Sequence, residues 1–211
     1  MNALDPVLLV LLGCALGLFT PKVTDAIRRP YRVRALRGAL VAELLELQHT
    51  MVAAAFGANV HLGTLDRELL QWAIPLYERY TGPGMEPRVL EGLRTFNALP
   101  PAEFQAVVQA QQARPGRGLN LKTYDLPFLS SQLQNLSVLP VAFLRALYRV
   151  RSRLNNFNED VRFLMQQHQL TFAPGLSPGN YQVVVSTIDE GYRKLGRLAR
   201  SIADDIEDAV G

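Results

Sequence analysis

An uncharged apolar run at the start of this chain constrains its fold more than any other feature: Pro6 to Thr20 reads PVLLVLLGCALGLFT, fifteen residues bounded by Asp5 and by Pro21-Lys22. Such a segment is stable only where water is kept from it, in a bilayer or in a protein core. It is shorter than the roughly 20 residues that match a hydrocarbon layer about 30 Å thick. Ala3 and Leu4 extend it upstream, and Val23, Ala26 and Ile27 extend it downstream. The stem of Lys22 can lie along apolar surface with its ammonium in water, so a spanning helix is feasible.

Three rival readings fit less well. A cleaved secretory signal needs positive charge before the apolar stretch and a small-residue cleavage site after it, whereas here the basic residues all follow. Leu11-Leu12-Gly13-Cys14 resembles a bacterial lipobox, but Cys14 is followed by Ala-Leu-Gly-Leu-Phe where a lipoprotein turns polar. A buried core helix is the ordinary explanation of so short a run, and the rim of arginines argues against it.

That rim also sets an orientation. Lys22, Arg28, Arg29, Arg32, Arg34 and Arg37 follow the run with Asp25 as the single acid among them, while the other flank carries Asp5 and the terminal amine. The excess of Lys and Arg places the following chain in the cytoplasm, as in a signal-anchor of the inner membrane, and the same residues would contact anionic lipid. Arg28-Arg29 lies after the apolar run, so it is not a twin-arginine export signal. The expected organisation is a membrane anchor over 1–22, a basic juxtamembrane segment over 23–37 and a cytoplasmic helical domain over 38–211. Cys14 is the only cysteine, which excludes an intramolecular disulfide or a multi-thiolate metal site.

Beyond residue 30 apolar residues recur at helical spacing and no strand-like alternation persists, so the fold class is all-α. A first long helix is expected over 31–56, with Leu36, Leu40, Leu44, Leu47 and Met51 on one face and Gly57 as its stop. Thr64 or Asp66 can cap a helix reaching Tyr80; Pro87 and Pro101 suit the first turns of two more, reaching Asn97 and Arg114. Gly82-Pro83-Gly84 and Pro115-Gly116-Arg117-Gly118 mark turns. Asp125 can cap a short helix that leads to a long one over 138–169. In that long helix Phe143, Leu147, Val150, Leu154, Phe157, Val161, Leu164 and His168 alternate four- and three-residue spacing, a heptad seam.

Ser177-Pro178 opens the last helix, whose seam of Tyr181, Val185, Ile188, Tyr192, Leu195, Ala199, Ile202, Ile206 and Ala209 runs to the end of the chain. Three helices of similar length predict a bundle, with the last two as an αα-hairpin and the short helices at one end. Heptads of this kind pair within a chain or between chains. Asp204, Asp205, Glu207 and Asp208 in the last turns oppose the helix dipole, and a helix returning toward the membrane would bring them to Arg28–Arg37.

Signals for chemistry are thin. Glu46-Leu-Gln-His49 has the Glu-x-x-His spacing that di-metal bundles use twice, but no second copy exists and the register turns both residues off the seam. His168 fits a partly buried histidine at a helix end. Arg145, Arg149 and Arg153 form a basic stripe four residues apart that could meet phosphates or an acidic partner, although a solvated face is the simpler reading. Asn155, Asn156 and Asn158 beside it could be polar seam contacts, without an assignable role. No phosphate-binding glycine loop, nucleophile elbow or catalytic set is present by spacing, and nothing in the pattern calls for a metal or a cofactor. No nucleic-acid module accompanies the basic residues, so specific nucleic-acid binding is not expected. The expectation is a membrane-tethered helical interaction module, a scaffold, sensor or accessory subunit that binds a protein partner or itself. The alternative is an enzyme or effector acting at the membrane surface on lipid or phosphate-bearing substrates.

Overall fold

The computed structural model describes the backbone of residues 6–82, 87–112, 122–172 and 174–210, and the side chains of these except 6–28 and 87. All regular structure among them is helical: α1 (Pro6–Leu62), α2 (Arg67–Arg79), α3 (Pro87–Ala98), α4 (Pro101–Gln111), α5 (Pro127–Ser131), a 3-10 segment (Leu133–Val138), α6 (Val141–Leu170) and α7 (Pro178–Val210).

The apolar run and the first bundle helix form one element. At 1.5 Å per residue the 57 residues of α1 extend about 85 Å. The helix passes through Pro21 and Pro30, each of which removes one N–H from the backbone ladder. The side chains of the anchor segment, and of Lys22 and Arg28 beside it, lie outside the described residues. Contacts of α1 with the core begin at Val33 and Leu36. Among the residues whose side chains are described, which begin at Arg29, Arg29–Leu62 of α1 is the one stretch long and apolar enough to cross a bilayer, and 44% of its most apolar window is buried within the protein. The buried residues of this stretch are Leu40, Leu44, Leu47, Gln48, Met51, Val52, Ala54, Ala55 and Ala58.

Gly57 does not stop α1. Its helical backbone continues because Ala58, one residue on, is buried against α7, and the stop comes at Gly63, whose φ of +66° is the left-handed conformation that a side chain would oppose. There the Gly63 N–H donates to Val60 O at 3.1 Å and the Thr64 N–H to Asn59 O at 2.9 Å, satisfying carbonyls at the helix end.

α7 is the central helix. It packs along both α1 and α6, which touch one another only sparsely. Pairings of Gln48 with Ala203, Ala55 with Gly196 and His61 with Tyr192 make α1 and α7 antiparallel. Those of Arg149 with Asp205, Asp160 with Lys194 and His168 with Tyr192 do the same for α6 and α7. Small residues set the first approach: a Cβ at Gly196 would lie 3.4 Å from both Ala58 Cβ and Asn59 Nδ2. Gly191 does so for α6, since a Cβ there would come within 2.3 Å of Leu164 Cδ2. The predicted seams are the core: Phe143 through Leu164 on α6 and Val185 through Ile206 on α7 are buried at the stated spacing, and Tyr181 at the open end is exposed.

The short helices flank the bundle instead of gathering at one end. α2 lies antiparallel to α1, capped by Asp66, which accepts from the Leu69 N–H at 2.8 Å, and it sends Glu68, Trp72 and Arg79 to α7. α6 starts at Val141, three residues later than expected, because Pro140 has no N–H to give and stands as its N-cap. Asp125 does not cap α5 either. The two N–H groups of Phe128 and Leu129 donate instead to the carboxylate of Glu43 on α1, at 2.6 and 2.8 Å, so the cap comes from a distant part of the chain.

Candidate functional site

The acidic end of α7 returns toward the start of α1 as expected, but its partners are not Arg28–Arg37. Glu207 reaches Gln48 at 3.2 Å, and Arg37 lies eleven residues, about 16 Å, further down α1. α7 ends before Arg29–Arg37, and side chains of other helices meet its acids. Asp204 accepts from Trp72 Nε1 at 2.7 Å, and Glu207 also pairs with Arg79. Asp205, with 7% of its side chain exposed, sits between Arg149 at 3.3 Å and Arg153 at 2.7 Å. Arg153 directs its Nη1 hydrogens to Ser201 O and Oγ and meets Asp205 as an ion pair, leaving Asp205 Oδ2 without an aligned hydrogen bond among the described residues.

Two arginines of the predicted stripe therefore face inward electrostatically, while Arg145 is exposed and makes no ion pair with any described residue. Arg29, Arg32, Arg34 and Arg37 are exposed on α1, and the Arg37 guanidinium lies 5.4 Å over the ring of Phe143. The seam residues Ile188, Tyr192, Leu195, Ile202 and Ile206 are all buried within the one chain.

Glu46 and His49 do turn off the α7 seam, and α2 covers them. The His49 ring stacks on Tyr80 with centroids 4.1 Å apart and meets Tyr77 edge-on at 5.1 Å, while the Tyr80 hydroxyl donates to Glu46. Desolvation, reinforced by Glu46, pushes the Tyr80 hydroxyl up to about 12. Among the described residues no three His, Cys, Asp or Glu side chains converge as metal ligands.

The other end of the bundle is built differently. Tyr192, 1% exposed, bonds through its hydroxyl to His168 Nε2 at 2.7 Å, and its ring lies 4.5 Å from that of His61. One tyrosine thus ties the ends of α1 and α6 to α7. Beside it a groove of about 400 Å³ opens between α6 and α7, walled by Phe163, Leu164 and Gly191 and rimmed by Asp160, Lys194 and Arg197. Lys194 Nζ lies 2.7 Å from Asp160 Oδ1 across it. Around the hairpin connection, exposed apolar side chains accumulate: Met165 (55% exposed), Leu170 (45%), Phe172 (82%) and Val183 (62%). They are apolar surface that no other described residue covers, adjacent to a mixed-charge groove, which is the composition of a contact surface.

Burial lowers the His168 pKa from its ordinary 6.5. Because the folded value lies below the unfolded one, the unfolded state binds the extra proton first as pH falls. His168 thus contributes stability in full above about pH 6.5, and that contribution is lost as pH falls through its folded pKa. The melting temperature is expected to fall between pH 7.5 and 5.5, with a shallower slope in His168→Gln; equal slopes in the two proteins would show that His168 is not the group responsible.

Of the three asparagines on α6, Asn158 is the buried polar contact, exchanging two bonds with the Tyr124 backbone by accepting from its N–H at 2.9 Å and donating to its O at 2.7 Å, while Asn155 and Asn156 are exposed. Sequence reading missed Gln48, Glu43 and Trp72. Gln48, which donates to Ala203 O at 3.0 Å, is a polar residue bordering an apolar seam, which is the signal that could have found it. Glu43 and Trp72 carry no local signal, since their partners are distant in sequence. No protein-family model matches this chain, and neither a curated protein nor a solved structure is detectably similar to it.

Proposed function

We propose that this chain is a membrane-tethered helical interaction module, held in the inner membrane by its N-terminal apolar segment, with its bundle in the cytoplasm. The observation that carries the reading is the uncovered apolar surface at the α6–α7 hairpin, the end of the bundle farthest from that segment. A surface of this kind at the tip of a tethered domain is positioned to meet a protein partner or a second copy, and the tether raises its effective concentration there.

The tether is assigned to Pro6–Thr20 and not to Arg29–Leu62 on physical grounds. The later stretch commits Glu43 to the α5 cap and Gln48 to α7, and inserting it would strip its apolar face from the core. The earlier stretch has no charge to desolvate.

The test uses the full chain in bacterial membranes, with a photoreactive amino acid at Phe172 or Val183 and a control at the exposed Gln109 of α4. Discrete adducts are expected from the two hairpin positions and not from 109, in a protein that resists carbonate extraction and is digested in inverted vesicles but not in spheroplasts. Hairpin positions that yield no adduct beyond the control would end the interaction reading, and release by carbonate or digestion in spheroplasts would end the tether or its orientation.

A further inference from the structure

We infer that the end of the bundle opposite the hairpin, where the 3-10 segment enters α6, is a second membrane contact that docks on an anionic bilayer surface. The inference rests on the tether reading above and adds a surface which that reading does not require.

Contacts fix the place. Arg37 lies over Phe143 in the first turn of α6, and Glu43 holds the start of α5. α5, the 3-10 segment and the first turns of α6 are therefore grouped around the part of α1 nearest the apolar run. Nine residues separate Arg28 from Arg37, a rise of about 14 Å, of which the headgroup layer occupies roughly the first 5–7 Å. An ordinary helix tilt of about 20°, or a bend at Pro30, brings one side of the bundle down across most of the rest.

Composition says what that side meets. From Leu126 to Asn158 the chain has no Asp or Glu, and of its four arginines Arg149 and Arg153 are held by Asp205 while Arg145 is exposed and Arg151 half-buried. Leu133 (42%), Val138 (39%) and Val141 (63%) are exposed there, with no neighbouring element covering them among the described residues. On α6 Val141, Arg145 and Tyr148 are spaced four and three apart on the face directly away from the core seam, and helical side chains lean toward the helix N-terminus, which here is the membrane side. α1 adds the exposed Arg29, Arg32, Arg34 and Arg37. Short apolar side chains set among arginines and a tyrosine, on a chain segment without acids, match the requirements of an anionic interface, while of the acids at this end Glu43, Asp204, Asp205 and Glu207 are bonded within the bundle. A protein partner would not require the acid-free stretch to coincide with the end that faces the bilayer.

The experiment places nitroxide labels in the full-length protein with Cys14→Ser, one at a time at Val141→Cys, Leu12→Cys and Gln109→Cys, in nanodiscs of neutral phosphatidylcholine or with about a third phosphatidylglycerol. Collision rates with oxygen and with a water-soluble nickel chelate give the depth of each label. The label at 141 is expected to lose nickel access severalfold in the anionic discs relative to the neutral ones, Arg145→Glu to restore much of it, and the label at 109 to remain solvated in both. A label at 141 that is equally accessible in both discs, with that at 12 immersed, overturns this inference and leaves the tether standing. Protection at 141 that ignores lipid charge also overturns it. A water-exposed label at 12 removes the tether and this inference together. Unchanged far-ultraviolet dichroism and melting temperature in each labelled variant establish that the fold is intact.

Discussion

Replacing Arg149 and Arg153 together by alanine is expected to lower stability by about 3 kcal/mol, whereas Asp205→Leu is expected to change it by less than about 1 kcal/mol. The asymmetry follows from burial. Asp205 has 7% of its side chain exposed, against 53% for Arg149 and 36% for Arg153. Removing both arginines takes away the two charges that compensate a carboxylate set into the bundle, and Oδ2 already lacks an aligned donor among the described residues. Removing the carboxylate instead leaves two long side chains that swing outward and hydrate, and leucine refills the volume. For a chain of this size about 3 kcal/mol is a fall in melting temperature on the order of 6–12 °C. Added salt should reduce it little, since the carboxylate is shielded from screening ions. A double variant within about 0.5 kcal/mol of the parent would mean that the stripe serves something other than the fold. Reciprocal results, with Asp205→Leu the more damaging, would mean that the acid sets the register of α7 on α6.

The same residues show how far sequence carries. The seams of α6 and α7 were legible because spacing alone fixes which side of a long helix is apolar, and burial from Phe143 to Leu164 and from Val185 to Ile206 follows it. The helix starts at Pro87, Pro101 and Pro178 were legible for a local reason: proline suits the first turn and little else in a helix. What failed was whatever depended on a distant partner. Gly57 reads as a stop until one knows that α7 covers Ala58, and Asp125 reads as a cap until Glu43 arrives from 85 residues away. Sequence alone assigns the acids of α7 to Arg28–Arg37 and leaves the arginines of α6 as a solvated stripe, yet Asp205 holds Arg149 and Arg153. Charge pairing between helices leaves no trace in either helix alone. The exposed surfaces on which both functional proposals stand were illegible for a related reason, since an apolar residue off the seam declares itself uncovered only when every neighbour has been placed.

Tyr192→Ala is expected to cost about 3–5 kcal/mol, the range for truncating a large aromatic in a core, and Tyr192→Phe about 1–2 kcal/mol. The difference separates what the ring does from what the hydroxyl does. The ring fills the space between α1 and α6 at the hairpin end, close to His61, and its loss leaves a cavity that three helix ends must collapse into. The hydroxyl bonds to His168 Nε2, and its loss leaves a half-buried imidazole without that partner. Either variant should act most strongly near the hairpin, because α7 remains pinned at its other end by Gln48, Asp205 and Glu207. Amide exchange read peptide by peptide should therefore speed up over 161–172 and 181–192 before it does over 200–210. Uniform acceleration along α7 would mean that the bundle opens as one unit and that Tyr192 is not a local clasp. Selective acceleration would give the hairpin a stability of its own, below that of the rest of the bundle. The apolar surface around Phe172 and Val183 could then adjust to a bound partner without unfolding the opposite end of the bundle.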